Sequence, residues 1–541
     1  MSKFTICFIL ILTYSVFTLN SQNSVSQTWV SDLGNGKYRN PVLNADYSDP
    51  DVCRVGDDYF MTASSFNCVP GLPILHSNDL VNWKIIGHAI QKLEPADVFA
   101  SVQHGNGVWA PSIRYHNNEF YIYYGDPDYG IFMLKTKNPA GEWSEPQLVK
   151  SGKGLIDPCP LWDDDGRVYL VHAYAGSRAG IKSILVITEM NADGSQTITP
   201  SRVIYDGHEL DPTIEGPKFY KRNSYYYIFS PAGGVATGWQ VVLRSKNVYG
   251  PYERKVVLAQ GKTVINGPHQ GAWVDTPYGD DWFIHFQDKG AFGRIVHLQP
   301  MVWKDNGFPV IGVDKDGDGC GEPVLEYKKP KITGDFAIQT PAESDEFSSG
   351  ELGLQWQWHS NSQDWWCFLN APKGLLTLFS VPLPDGYKNL WDVPNLLLQK
   401  FPSDIFTSTV KFTLKPDERF EGERAGLVVM GMDYSLVSIE KLTEGFMISQ
   451  NECIGADKGK PETKNETVTT VQSAVYFRVN VNSDTMCNFS YSLDGKKFTK
   501  IGKPFKAREG KWIGAKMGVF CTRPVKNNDG GRMEIDWFRV N

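Results

Sequence analysis

The sequence predicts an all-β protein, a five-bladed β-propeller over residues 28–328 followed by a β-sandwich over residues 342–541. Three observations carry this. One strand-turn-strand pattern, with a turn of Gly, Asp or Asn and then Tyr, Phe, Val and Ile, occurs five times. The copies are not separated by stretches with the 3.6-residue apolar period of a surface helix. A second alternating β region begins after a proline-bounded segment, and 541 residues exceed one ordinary domain.

In chain order, Lys3 is followed by an apolar run from Ile6 to Leu19 that ends in Asn-Ser-Gln. The run is too short to span a bilayer comfortably and is built like a Sec-type signal peptide, assigned to residues 1–22. Cys7 lies early in it, where a lipoprotein cysteine would not sit. A soluble protein exported to a periplasm or to the medium is expected, with no membrane partner. Removal of the segment takes Lys3 with it and moves the net charge from −7 to about −8. Residues 23 to 40 then form a polar lead-in.

The five copies turn at Gly56-Asp57-Asp58, His116-Asn117-Asn118, Asp163-Asp164-Asp165-Gly166, Arg222-Asn223-Ser224 and Tyr278-Gly279-Asp280. A core aromatic follows each turn: Tyr59, Tyr121, Tyr169, Tyr226 and Phe283, at intervals of about 50 to 60 residues, as in a propeller. One sandwich could not absorb about 290 residues of repeated strand pairs. In a propeller the innermost strand of each blade lines the channel, so the residue that opens each copy converges on one axis. Those residues are Asp49, Trp109, Asp157, Glu215 and His269.

Beyond the fifth copy, Asp314-Lys315-Asp316-Gly317-Asp318-Gly319 has the look of a calcium loop. Its twelfth position is Leu325, where a bidentate Glu would be needed, so the segment reads as a polar exit loop. Pro330 to Pro341 reads as a linker. The sandwich pattern starts near Asp345-Glu346-Phe347, alternates through Phe406-Ser408-Val410-Phe412, and closes with Met533–Val540.

No basic cluster that could track a phosphate backbone accompanies the charge of −7, which excludes nucleic acid as a partner. The eight cysteines after the signal segment form no Cys-x-x-Cys pair, which argues against a zinc site and a dense disulfide framework. They read mostly as small buried hydrophobes.

Cleaving a glycosidic bond needs a protonated carboxyl to donate to the leaving oxygen and an ionised carboxylate on the other side. When the second activates water, the two stand roughly 6.5 to 9.5 Å apart and the anomeric centre inverts. A third acid near the donor has its own use, because neighbouring negative charge keeps the donor's proton on near neutral pH. An isolated Asp-Pro pair is usually a turn feature. Here the shared place in the repeats lifts Asp49, Asp157 and Glu215 above that reading. His269 suits a satisfied core position or a ligand to metal or water, and Arg294 suits a surface charge or a guanidinium holding ring hydroxyls or the acid's carboxylate.

The chain resembles glycoside hydrolase family 43, specifically its exo-acting β-xylosidase and α-L-arabinofuranosidase members with a C-terminal concanavalin-like sandwich. The matching segments are Asn40-Pro41-Val42-Leu43, Tyr47-Ser48-Asp49-Pro50-Asp51, Thr62–Phe66, His76–Trp83, Gly107-Val108-Trp109-Ala110-Pro111, Ile156-Asp157-Pro158, Ile214-Glu215-Gly216-Pro217 and His297-Leu298-Gln299-Pro300. The resemblance implies Asp49 as general base, Asp157 as the modulator that tunes pKa and orients, and Glu215 as general acid. It also implies substrate contact by Arg294, pocket walls from Phe66 and Trp109, and a calcium ion or its water shell at His269, with no organic cofactor. In relatives the sandwich can lend an aromatic to the pocket rim. Here Trp366-Cys367-Phe368 departs from the family's more polar stretch, so the lending residue is left unnamed. A sandwich calcium near Asp345 and Asp536 is a weaker implication.

The expected function is therefore that of an inverting exo-glycosidase releasing a terminal pentose from plant cell-wall polysaccharide or its oligomers. α-L-Arabinofuranose comes first and β-D-xylose second. The competing readings are an endo-arabinanase and a carbohydrate-binding propeller without catalysis.

Overall fold

The computed structural model describes residues 25–541, so the expected signal peptide lies outside the described residues. Five four-stranded antiparallel sheets stand around one axis, each built from four consecutive strands. Blade I runs from Asp51–Val55 to Lys84–Ile90, blade II from Trp109–His116 to Gln147–Ser151, and blade III from Leu155–Trp162 to Arg202–Asp206. Blade IV runs from Lys218–Arg222 to Glu253–Ala259, and blade V from His269–Asp275 to Pro309–Ile311. The repeat aromatics all fall on the second strand of their blade, where Tyr59, Tyr121, Tyr169 and Phe283 are buried and Tyr226 half-buried.

Because no blade mixes strands from the two ends of the repeat array, the ring closes by other means. Lys37–Arg39 in the lead-in pairs with Glu326–Lys328 after blade V, and Leu43 bridges Val296. Tyr38 Oη and Asn40 Nδ2 both donate to the Leu298 carbonyl at 2.8 Å.

The inner strands correct one detail of the repeat alignment. Left-handed backbone occurs at Asp49, Ala110, Asp157, Gly216 and Gln270, with φ of 55°, 29°, 57°, 56° and 33°, followed by Pro50, Pro111, Pro158, Pro217 and Gly271. These five are the equivalent positions. Trp109, Glu215 and His269 therefore sit one residue ahead of the register that Asp49 and Asp157 occupy. Pairing slips in blades II, III and V beside Trp109, Asp157 and His269, and such bulges add a residue to one strand and re-aim its side chains. Left-handed backbone at a non-glycine residue costs on the order of 1–3 kcal/mol and concentrates at functional sites.

Two larger sheets form the C-terminal sandwich, which opens where Asp345 bridges Phe538. Its core, with Phe412, Phe477 and Ile535, is continuous through Trp356 and Trp358 with Leu72, Ile74 and Phe99 of the propeller. Polar bonds cross the same joint: Val69 N to Trp358 O at 3.2 Å, Leu93 N to Asn361 Oδ1 at 2.8 Å, and Gly514 N to Asp46 Oδ2 at 3.1 Å. The expected linker is also anchored, with Thr340 Oγ1 accepting from Ser26 N at 2.7 Å. All eight described cysteines are free and five are buried.

Candidate active site

The three acids converge at one mouth of the channel. They share a pocket with Phe66, Trp109, Ala110, Ile156, Val235, Gln270, Arg294 and Trp512. Asp49 Oδ2 accepts from Ser48 Oγ at 2.7 Å and from Ser64 Oγ at 2.6 Å, and Arg294 Nη1 lies 3.2 Å from its other oxygen. Arg294 also donates to Ser48 Oγ at 2.7 Å, while Ser64 Oγ accepts from Ala110 N at 2.7 Å and so ties blade I to blade II. Two hydroxyls and a guanidinium thus converge on one carboxylate, an arrangement suited to its ionised form. Arg294 accordingly holds the expected base rather than the expected acid.

Glu215 has a contrasting environment. Its side chain is 28% exposed, and the one basic group within 4 Å among the described residues is His269 Nε2, at 3.6 Å from Oε1. His269 is fully buried, and burial followed by the charge of Arg294 pushes its pKa down to about 3, so the imidazole is neutral and no ion pair forms. Burial raises the Glu215 carboxyl above the usual range, and the charges of Asp157 and Asp49 raise it further, outweighing Arg294 and Lys182. A proton remains on Glu215 near neutral pH.

Asp157 is linked to Glu215 through the chain. Its Oδ2 accepts from Gly216 N at 2.6 Å, which fixes the peptide that follows Glu215. Burial raises its pKa, as does the charge of Asp49, against the pull of the Gly216 N–H, Lys218 and Arg294. Gly216 itself is required for space, since a Cβ there would stand 2.7 Å from Gln270 Cγ.

Phe66 and Trp109 meet edge to face at 6.1 Å and form one wall. The indole is fixed by Trp109 Nε1 donating to Gly105 O at 2.9 Å. The facing aromatic is Trp512, on a sandwich loop and 5.9 Å from Trp109. Trp366 is instead in the sandwich core and Phe368 lies exposed on a sandwich strand beside Phe379. Gln270 and Val235 were likewise missed. The slipped register hid Gln270, whereas Val235 and Trp512 lie on loops outside the repeat pattern; a Trp flanked by Gly510 and Gly514 was the only visible sign of the latter.

His269 Nδ1, His269 Nε2 and Gln270 Oε1 are buried without hydrogen-bond partners. Elsewhere, Asp314, Asp316 and Asp318 are the one group of three potential ligands among the described residues, on the expected exit loop. The sandwich pair does not form a site. Asp345 accepts from Phe347 N, Gly353 N and Trp356 Nε1, whereas Asp536 pairs with Lys411 at 3.0 Å.

Comparison with known proteins places these features in context. A family model described as "Glycosyl hydrolases family 43" matches residues 38–309, and one described as "Beta xylosidase C-terminal Concanavalin A-like domain" matches residues 344–541. A "Putative beta-xylosidase" of Xylanibacter ruminicola is 40% identical over 91% of this chain and 87% of its own. A "Non-reducing end alpha-L-arabinofuranosidase" of Bacteroides ovatus is 30% identical over 76% of this chain and 78% of its own. Among solved structures, a mutant GH43 protein from Bacillus licheniformis superposes with a TM-score of 0.81 at 25% identity, covering 93% of this chain and 99% of that one.

Proposed function

Because this chain belongs to glycosyl hydrolase family 43 and is a glycosidase, we propose that it removes one terminal pentose at a time, with inversion, from xylose- or arabinose-containing plant cell-wall saccharides. The observation that carries the reading is the asymmetry of the acids. Asp49 is held by donors, while Glu215, half-buried among acids, has only a neutral imidazole beside it. Glu215 then protonates the leaving oxygen as Asp49 takes a proton from the attacking water. Asp157 keeps the proton on Glu215 and holds its peptide in place.

The names of the relatives reorder the two sugars. The 40%-identical relative is named a beta-xylosidase and the 30%-identical one an arabinofuranosidase, which favours β-D-xylose first. The Trp512 cap favours attack at a chain end over an endo cleft, and the intact acid trio favours catalysis over binding alone. Shape exclusion by the aromatic walls favours pentoses over hexoses, which carry one more carbon.

A calcium ion prefers oxygen ligands. The unpartnered atoms fit a hydrated ion held by Gln270 Oε1 directly and by His269 through water. When bound it would supply positive potential to the acids. Export through residues 1–22 completes the proposal, and N-terminal sequencing of protein from cell fractions tests it.

Parallel assays of aryl β-D-xyloside and aryl α-L-arabinofuranoside test the substrate class, and inactivity on both would overturn it. Proton NMR of the first-formed anomer tests the roles of the acids. Retained configuration would remove Asp49 as base.

A further inference from the structure

The sandwich covers one face of its own sheet. Leu390, Val393 and Leu396 pack onto Leu398, Val428, Leu436 and Phe520 of the sheet, filling the surface with the protein's own chain. The turn that does so, Leu390–Asp392, presents Trp391 to the propeller.

There Trp391 meets His104. The two rings stack at 3.4 Å with 12° between their planes, and His359 stands edge-on to His104 at 4.8 Å. His104 Nε2 lies 2.8 Å from the Trp391 carbonyl. A carbonyl oxygen only accepts, so Nε2 carries the proton. Burial, with His359 beside it, holds the ring well below the usual histidine pKa and keeps it neutral. None of the pocket walls is formed by His104.

Its neighbours nevertheless reach all three aromatic walls. Gly105 O anchors the Trp109 indole, and a Cβ on Gly105 would stand 2.9 Å from Trp512 Cδ1. A Cβ on Gly107 would stand 2.5 Å from Phe66 O. Both glycines have positive φ, 77° and 88°, so the turn is shaped for close approach on each side. Asn67 completes the grip: its Oδ1 accepts from Gly105 N at 3.3 Å, and its Nδ2 donates to His359 O at 2.8 Å.

We propose that His104 is a positioning residue for the sugar pocket: seated in the sandwich by Trp391 and His359, it sets the 103–107 turn and through it Trp109 and the seat of Trp512. The sandwich thus shapes the pocket by two routes, directly through Trp512 and indirectly through His104. The inference rests on reading this pocket as the site of the terminal pentose. It leaves the acids untouched, so its effect falls on binding rather than chemistry.

Steady-state kinetics of the full-length enzyme on the preferred aryl pentoside test it. His104→Ala and Trp391→Ala should each raise KM about tenfold and leave kcat within threefold. His104→Phe, which keeps a ring on Trp391, should recover most of the lost affinity. KM within twofold of wild type in both alanine variants overturns the inference, as does a fall in kcat at unchanged KM. If near-UV circular dichroism shows that His104→Ala does not fold, Trp391→Ala against His104→Phe decides by the same criteria. An inactive wild type overturns the pentose reading and this inference with it, whereas an active wild type with unaltered variants overturns the inference alone.

Discussion

The inner strands of the propeller carry charge at the pocket and beyond it and pair it differently. Beyond the pocket, Asp51, two residues past Asp49, meets Arg114 at 2.6 Å, and further along the inner strands Asp275 meets Arg54 at 2.8 Å and Asp163 meets Lys221. At the pocket, Asp49 has Arg294, Asp157 has one backbone N–H, and Glu215 has a neutral imidazole. The same blades therefore give a stabilised stretch, where acids are matched by bases, and a reactive end, where matching is withheld. Withholding it keeps a proton on an acid at pH 7.

Removing the withheld proton is the strongest way to break this contrast. Glu215→Gln should cut turnover of unactivated substrates by roughly 10³-fold, the range of a lost general acid, while sugar affinity persists. Turnover equal to wild type would falsify the acid assignment. Because the acid works protonated, wild-type activity should fall as pH rises through a Glu215 pKa above the ordinary carboxylate range. Stability follows the same sign. A carboxyl with a raised folded pKa loses stability as pH climbs from its ordinary value through the raised one, so Glu215→Gln should gain on wild type across that window. Thermal melts from pH 4 to 9 would read it as a gap widening by roughly a few degrees.

The matched acids should respond in stability alone. Asp51→Asn leaves Arg114 buried without its partner, at a cost of about 3–5 kcal/mol. Denaturant unfolding measures the loss, and the alkaline limb of the rate profile should stay in place. A limb that moves with Asp51 would mean that the matched and unmatched acids are electrostatically one site.

Arg294 is the pocket's one matched pair. Arg294→Ala removes a charged donor from Asp49 and Ser48, worth about 2–3 kcal/mol, and should lower kcat/KM roughly 100-fold. Asp49 would keep its two serines, so a loss as large as that of Glu215→Gln would assign Arg294 a direct part in the chemistry.

The blades and the acids were legible in the sequence because both follow from the repeat. Alternating aromatics and Asn- or Gly-containing turns mark the blades, and an acid beside a proline or Gly-Pro break marks the axis. The one-residue offsets of Trp109 and His269 were not legible, since a bulge adds a residue without changing composition. Gln270 was hidden by the same slip. Ser48 and Ser64 look like any loop hydroxyls until the fold brings both to Asp49. Trp512 needed the docking of two domains, which no local pattern encodes.

Trp512 gives the smallest expected effect and the finest test of how the reactive end is closed. It is 43% exposed, in left-handed backbone at φ 66°, and lies against Trp109. Such a residue contributes little to the sandwich core, so its alanine variant should fold with unchanged stability. The pocket would keep its acids and two of its aromatic walls but lose the cap. Binding of the terminal sugar should weaken about tenfold, equivalent to about 1.4 kcal/mol, with kcat nearly unchanged. The opened rim should also admit substrate from within a chain, which product analysis on linear arabinan or xylan detects as oligomers among the first products. Monomer alone, at wild-type KM, would mean that the propeller closes the pocket without help from the sandwich.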